Sequence, residues 1–275
     1  MVRYVVMLFV ALLMSLLLSI AVRSATGIAL ASEQTTHPVK EPIQIYTEYF
    51  PPYNYRYNQQ MTGCSSRRVI QAFEQAGIPY QIIEMPWARA LHSVKNNPNS
   101  FIYSINRTPE REQKLLWIAE IAQPKQVALI AKQRKDIRLN QISDFKHYRL
   151  GTSRSSSIEQ HLIAQGVSPA RMSRISSDQP NQVNFELLKH NRVDIWLSEY
   201  HVARYVIQSN GYTLHELFDV AFVFEGLSRS GYYLAANLAT NKELAQQIGH
   251  AFADLKEKEQ SQQTLADTNS CQPVE

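Results

Sequence analysis

The amino-acid sequence predicts an α/β fold built as two units in series, and three features of its patterning support that expectation. Short apolar runs such as Phe101 to Ile105 and Gln126 to Lys132 alternate with segments whose apolar residues recur at helical spacing. After Lys132 this alternation starts afresh. A late apolar run from Gly231 to Ala236 then returns the chain, so the first lobe is expected over residues 42–130 and 229–262 and the second over 131–228. Strands alternating with helices imply a parallel or mixed sheet, and 275 residues suffice for two lobes that each bury a core.

The elements follow in order. Ile43 to Tyr46 reads as a strand ended by prolines, which leave Tyr49, Phe50, Tyr53 and Tyr55 on a loop. Rigid aromatic faces at a strand end suit either a small satellite core or stacking on a ligand. Ser65 and Ser66 precede a helix with Val69, Ile70, Phe73 and Ala76 on one face, stopped at Gly77. Tyr80 to Glu84 is a strand. Pro86-Trp87 opens a helix carrying Ala90, Leu91 and Val94, and Phe101 to Ile105 is the next strand.

Thr108-Pro109 has the form of a helix start, a hydroxyl cap followed by proline at the first position. That would put Arg111 in the first helical turn, where a cation opposes the helix dipole and calls for an anion. Free amides of the helix start, the Ser104 hydroxyl and the guanidinium fork would together hold a carboxylate. The alternative is a surface arginine balanced by Glu110 and Glu112. As a cleft residue that buries little area, Arg111 is expected to be replaceable by alanine without harm to folding.

In the second unit Leu150-Gly151-Thr152 ends a strand, and Ser156 with Glu159 has capping-box spacing at a helix start. Asn181 to His190 reads as a helix and Val193 to Leu197 as a strand, and Ser198 as the cap of a helix reaching about Ser209. Phe222 to Phe224 and Gly231 to Ala236 are later strands. A last helix is expected from Thr240, with Glu243 as its capping-box partner and Leu244, Ile248, Ala251 and Leu255 buried. The tail, 263–275, is polar.

The N-terminal residues form a targeting signal. Arg3 precedes an apolar run from Tyr4 to Val22, and Ala29-Leu30-Ala31 offers small residues for cleavage after Ala31, followed by a polar linker over 32–41. The alternative is an uncleaved anchor, since the run is long enough to span a bilayer. Only Cys64 and Cys271 are present. An even pair in an exported chain favours a disulfide between them, with two thiols as the alternative. Hydrophobic residues at 44% and charged residues at 19% exclude a disordered chain. The net charge of +4 falls to +2 without Arg3 and Arg23, and the remaining basic residues are scattered, which argues against nucleic acid.

The order of these motifs resembles the family 3 extracellular solute-binding proteins, over about residues 42 to 260. It rests on Phe50-Pro51-Pro52-Tyr53, Met61-Thr62-Gly63, Thr108-Pro109-Glu110-Arg111, Gly151 with the following serines, and Arg192-Val193-Asp194. The resemblance implies a two-lobed, periplasmic-binding-protein-like type II fold with a two-strand hinge, closing on solute. It further implies a monomer in the periplasm that needs no cofactor or metal and delivers an amino acid or related solute to an ABC transporter permease. By position it puts Arg111 on the solute carboxylate, Phe50 and Tyr53 in the aromatic loop over the solute, and Ser104 among the hydroxyls of the first lobe. Ser156 and Ser157 fall at the second-lobe helix start that receives the carboxylate, and Glu199 where the ammonium is bound. Glu199 is equally a normal first-turn residue. Trp87 is read as a core residue or as a ring against the ligand, and Arg89 as a salt-bridge or a cleft residue. Departures from the family pattern at Ser155 and at Asn97-Pro98-Asn99-Ser100 leave the solute itself open.

Enzyme signatures are scarce. The sequence has no Gly-x-Ser-x-Gly elbow, His-Glu-x-x-His, phosphate loop or Cys-x-x-Cys. A dehydratase-like enzyme on the same fold, with Glu48 or Glu199 as the acid, is one alternative. A solute-sensing module tethered by the uncleaved apolar run is the other.

Overall fold

The computed structural model describes residues 41–228 and 231–262. The signal segment with its cleavage position, most of the linker, the tail and Cys271 lie outside the described residues.

Two five-stranded sheets form the two lobes. The first has the order β4-β1-β5-β12-β6, from β1 (Ile43–Thr47), β4 (Tyr80–Glu84), β5 (Phe101–Asn106), β6 (Leu116–Ala122) and β12 (Tyr232–Ala236). β1 runs parallel to β4 and β5, while β12 is antiparallel to β5 and β6. The second has the order β11-β7-β10-β8-β9, from β7 (Gln126–Ala131), β8 (Leu150–Ser153), β9 (Met172–Ile175), β10 (Ile195–Glu199) and β11 (Phe218–Val223). A small hairpin, β2 (Tyr55–Tyr57) with β3 (Gln60–Thr62), sits in the first lobe's aromatic loop. The chain changes sheets between Ala122 and Gln126 and returns between Val223 and Tyr232, so two segments connect the lobes.

Helices cover the sheets. In the first lobe these are α1 (Cys64–Gln75), α2 (Trp87–Asn96) and α8 (Lys242–Gln262). In the second they are α3 (Ser157–Ala164), α4 (Pro180–Lys189), α5 (Tyr200–Ser209) and the short α6 (Leu214–Leu217) and α7 (Glu225–Ser228). The α1 face carries Val69, Ala72 and Phe73 into a cluster with Ile45, Phe101 and Leu234. In the second lobe Phe185, Trp196 and Phe218 pack on one side of the sheet, and Phe145, Leu162 and Phe224 on the other. Strand β5 is buried at all six positions, as a central strand covered on both faces must be.

Two of the motif residues have local physical reasons. Gly63 precedes α1 at φ 99°, and a Cβ there would lie 2.3 Å from the Tyr53 carbonyl oxygen, so no other residue fits. Asp194 accepts from the Arg149 backbone N–H at 2.9 Å and pairs with the Arg149 and Arg134 guanidiniums, which hold its carboxyl well below the usual range.

Several sequence expectations are corrected. No α-helix starts at Thr108-Pro109. Residues 109–111 form a turn, Glu112–Lys114 make a single 3-10 turn, and the chain enters β6, a strand the sequence reading missed. Ladder pairing with β12 leaves too few residues for a helix, so tertiary pairing overrides the local cap signal. Glu199 rather than Ser198 caps α5, and Asn241 rather than Thr240 accepts from the Leu244 N–H at the start of α8. Ser156 does cap α3, but the Glu159 carboxylate takes the N–H of Ser155 instead of completing a box on Ser156.

Candidate functional site

A cavity of about 50 Å³ lies between the lobes. The first lobe supplies Glu48, Phe50, Trp87, Ser104, Asn106, Arg111 and Tyr232. The second supplies Ser156 and Ser157 at the start of α3, Glu199 at the end of β10, and Gln126, Asn181 and Ser198 among others. Asn106, Ser153 and Glu199 end β5, β8 and β10, so the cavity sits at carboxyl ends of strands that run parallel to a neighbour, where α/β sheets usually bind ligands.

Arg111 is the buried cation of this cavity, 2% exposed, with its guanidinium 5.6 Å from the centre of the Trp87 ring. Its Nε donates to Gln160 Oε1 at 3.0 Å, one Nη to the Asn106 carbonyl at 3.2 Å and the other to the Ser155 carbonyl at 2.9 Å. A guanidinium has five N–H donors, so one remains on each terminal nitrogen. Burial lowers Arg111 to about 10, against the pull of Glu110, Tyr232 and Glu48. It is still charged at neutral pH. The Trp87 indole N–H also donates to the Ser155 carbonyl, at 2.9 Å, so both side chains reach across the lobes to one peptide oxygen.

Two carboxyls complete the charge pattern. Glu48 is half-buried as a residue, but its Oε2 is shielded from solvent and has no hydrogen-bond partner. Desolvation pushes it up to about 8, with Arg111 opposing. Glu199 is 2% exposed and its oxygens accept from the N–H groups of Lys125 at 3.0 Å and Val202 at 2.9 Å. Burial raises it to about 7 in spite of those bonds. Its role as a helix cap is therefore real, and lone-pair capacity remains beside it for a ligand.

The neutral polar groups are fixed by one another. Asn54 donates to Thr47 Oγ1 at 2.9 Å and to the Glu48 carbonyl at 2.7 Å, and accepts from Ser104 Oγ at 2.5 Å. Ser104 sits at φ 58° inside β5, a left-handed backbone unusual for a non-glycine in a strand, and lines the cavity. Asn106 Oδ1 accepts from Gln126 Nε2 and from Ser157 Oγ, both at 3.2 Å, and Gln126 also donates to the Tyr232 hydroxyl at 2.9 Å. Ser156 Oγ bonds Thr152 Oγ1 at 3.1 Å and caps α3.

Of the residues expected to meet solute, Phe50, Trp87, Ser104, Arg111, Ser156, Ser157 and Glu199 line the cavity and Tyr53 does not. Tyr53 is wholly buried behind it, with its ring 5.5 Å from Phe50 and 5.2 Å from Tyr232. It is a support for Phe50. Arg89 is exposed and away from the cavity, and Arg107 pairs with Glu112 while lying over Trp117 and Tyr233. Sequence reasoning missed Asn106, Gln126 and Asn181. The one available signal was a polar residue at the end of an otherwise apolar run, as at Asn106.

The sequence profile of the bacterial extracellular solute-binding proteins, family 3, matches residues 43–267. The chain belongs to that family. No curated protein matches the chain in sequence. Among solved structures, an ancestral arginine-binding protein bound to arginine superposes with a TM-score of 0.67 at 18% identity, covering 81% of this chain and 95% of that one. The substrate binding protein of an amino acid ABC transporter gives 0.64 at 14% identity, over 81% and 96%. A histidine kinase sensor domain with similarity to periplasmic binding proteins gives 0.68 at 15% identity, over 81% and 93%. At these identities the superpositions establish the two-lobed fold and nothing about the ligand. The family is one of solute-binding proteins.

Proposed function

We propose that this protein is a periplasmic receptor that closes its lobes over a small carboxylate-bearing solute, an amino acid or a close relative, passes it to an ABC-type permease, and turns nothing over. The observation that carries the proposal is Arg111, a buried guanidinium with one uncommitted N–H on each terminal nitrogen at the cavity between the lobes. That pair suits a carboxylate held end-on between the two terminal nitrogens. Glu48, with an unpartnered oxygen, and Glu199 are the acidic groups for an ammonium on the same solute. A cavity water needs about 10–15 Å³, so 50 Å³ has room for roughly three to five water-sized groups, which matches an α-amino acid headgroup.

Calorimetric titration with amino acids and with the corresponding organic acids tests this reading. At least one α-amino acid should bind, and its deaminated analogue should bind at least about 10-fold more weakly through loss of a charged contact. A panel in which no carboxylate binds would remove the proposal. For export we propose removal of the signal after Ala31, so that the exported chain begins at Ser32. An exported chain that retains Met1 would favour a tethered sensory module, a reading supported by the similarity in fold to a histidine kinase sensor domain.

A further inference from the structure

A second cavity, of about 190 Å³, lies along the same seam between the lobes. Tyr49 and Pro51 wall it from the first lobe, and Gln179, Asn181, Tyr205 and Ser209 are among its walls from the second. Asn181 lines both cavities. The first is large enough for a headgroup alone, whereas by the same measure per water the second has room for roughly thirteen or more water-sized groups. No side chain lining it is charged.

We infer that the second cavity is the specificity chamber for the solute's distal part, and that this part is uncharged, hydrogen-bonding and of a size to lie against the Tyr49 and Tyr205 rings, as a carboxamide or a neutral heteroaromatic side chain would. This rests on the headgroup reading of the first cavity. Asn181 is 7% exposed and fixed by Ser198, whose hydroxyl donates to its Oδ1 at 3.1 Å. Its NH2 has no partner among the described residues, so an acceptor on the solute would meet it on the way from one cavity to the other. Gln182 and Asn210, both in the wall, satisfy each other at 2.9 and 3.1 Å, whereas the Gln179 amide and the Ser209 hydroxyl have no hydrogen-bond partner among the described residues. A guanidinium or ammonium placed here would lose hydration with no carboxylate among the lining residues to replace it, and a second carboxylate would find no cation. The chamber therefore selects against arginine, lysine and glutamate.

The test is calorimetry on the exported protein with glycine, alanine, glutamine, asparagine, histidine, arginine, lysine and glutamate, using the parent chain, Tyr205→Ala, Gln179→Glu and Arg111→Ala. In the parent, a neutral polar amino acid should bind at least about 10-fold more tightly than arginine, lysine or glutamate. Tyr205→Ala should weaken that ligand about 10-fold and leave glycine and alanine within about 2-fold. Gln179→Glu alters an exposed residue, so it tests the chamber without risk to folding, and it should shift preference toward arginine by about 10-fold. Arginine or lysine as the tightest parent ligand, or a ranking unchanged in both chamber variants while Arg111→Ala still abolishes binding, overturns the chamber and leaves the headgroup reading standing. Binding indifferent to Arg111→Ala, or no binding at all, overturns the headgroup reading and the chamber with it.

Discussion

Arg111→Ala is expected to abolish most solute binding and to lower stability as well. Each charge-assisted contact to a carboxylate is worth about 1.5–3 kcal/mol, roughly 10- to 150-fold in affinity, and the guanidinium has two N–H groups to give. The stability effect corrects the expectation drawn from sequence, which took this for a cleft side chain of little buried area. The side chain is 2% exposed, and its loss removes a donor from the Asn106 carbonyl and from Gln160 Oε1, while the Ser155 carbonyl keeps the Trp87 indole N–H. Unmade bonds of that kind cost about 1–3 kcal/mol each, offset in part by release of a desolvated cation, so a net loss of about 1–4 kcal/mol is expected. In a protein of this size that lowers the thermal midpoint by several degrees. Arg111→Lys should recover only part of the binding, because an ammonium cannot span Ser155, Asn106 and a carboxylate at once. Gln160→Ala separates the two roles. It removes one cross-lobe bond without touching the free N–H groups, so it should cost less than about 10-fold in affinity. A ligand that binds Arg111→Ala as tightly as the parent would show that Arg111 only ties the lobes together.

The route to Arg111 shows which parts of the molecule were legible in the sequence. The α/β class was readable because apolar runs such as Phe101 to Ile105 are bounded by residues that break strands, and the helix faces of Val69 and Phe73 or Ala90 and Val94 repeat at helical spacing. No α-helix starts before Arg111, so no helix dipole calls for an anion there; its place in the order of family motifs is the sequence signal that points to the cavity. Caps at Glu199 and Asn241 were misplaced by one residue because neighbouring Ser, Thr, Asn and Glu all suit a helix start and tertiary geometry chooses among them. For Tyr53 the reason is related: a turn has no regular period of facing, so nothing local says which of the Phe50 and Tyr53 rings is buried behind the other. Asn106, Gln126 and Ser157 bond across 20 to 51 residues of sequence, and such pairs leave no periodic trace.

Stability should fall as pH rises from about 5 to 8, and Glu48→Gln should remove much of that fall. The Glu48 carboxyl has an ordinary value of 4.5 and is raised to about 8 by desolvation, and Glu199 is raised to about 7 for the same reason. A raised carboxyl means that the folded state holds a proton the unfolded chain has released. Its contribution is therefore complete below about 4.5 and is lost as pH climbs to the folded value, beyond which the curve is flat. Holding one proton from pH 4.5 to about 8 corresponds to about 2–5 kcal/mol once relaxation around the charge is allowed for. Glutamine keeps the shape of protonated Glu48 and cannot ionise. The variant should match the parent at pH 4 and exceed it at pH 8 by that amount, leaving only the shallower slope that ends near pH 7 from Glu199. Urea unfolding of the solute-free protein at pH 4, 6 and 8 reads this directly, and equal slopes for the two proteins would mean that Glu48 is ionised in the folded state at neutral pH. A bound α-ammonium reverses the balance, because a cation beside the unpartnered Glu48 oxygen favours the carboxylate. Solute binding near pH 7 should then release a proton, and the measured enthalpy should vary with the ionisation enthalpy of the buffer in the parent but much less in Glu48→Gln.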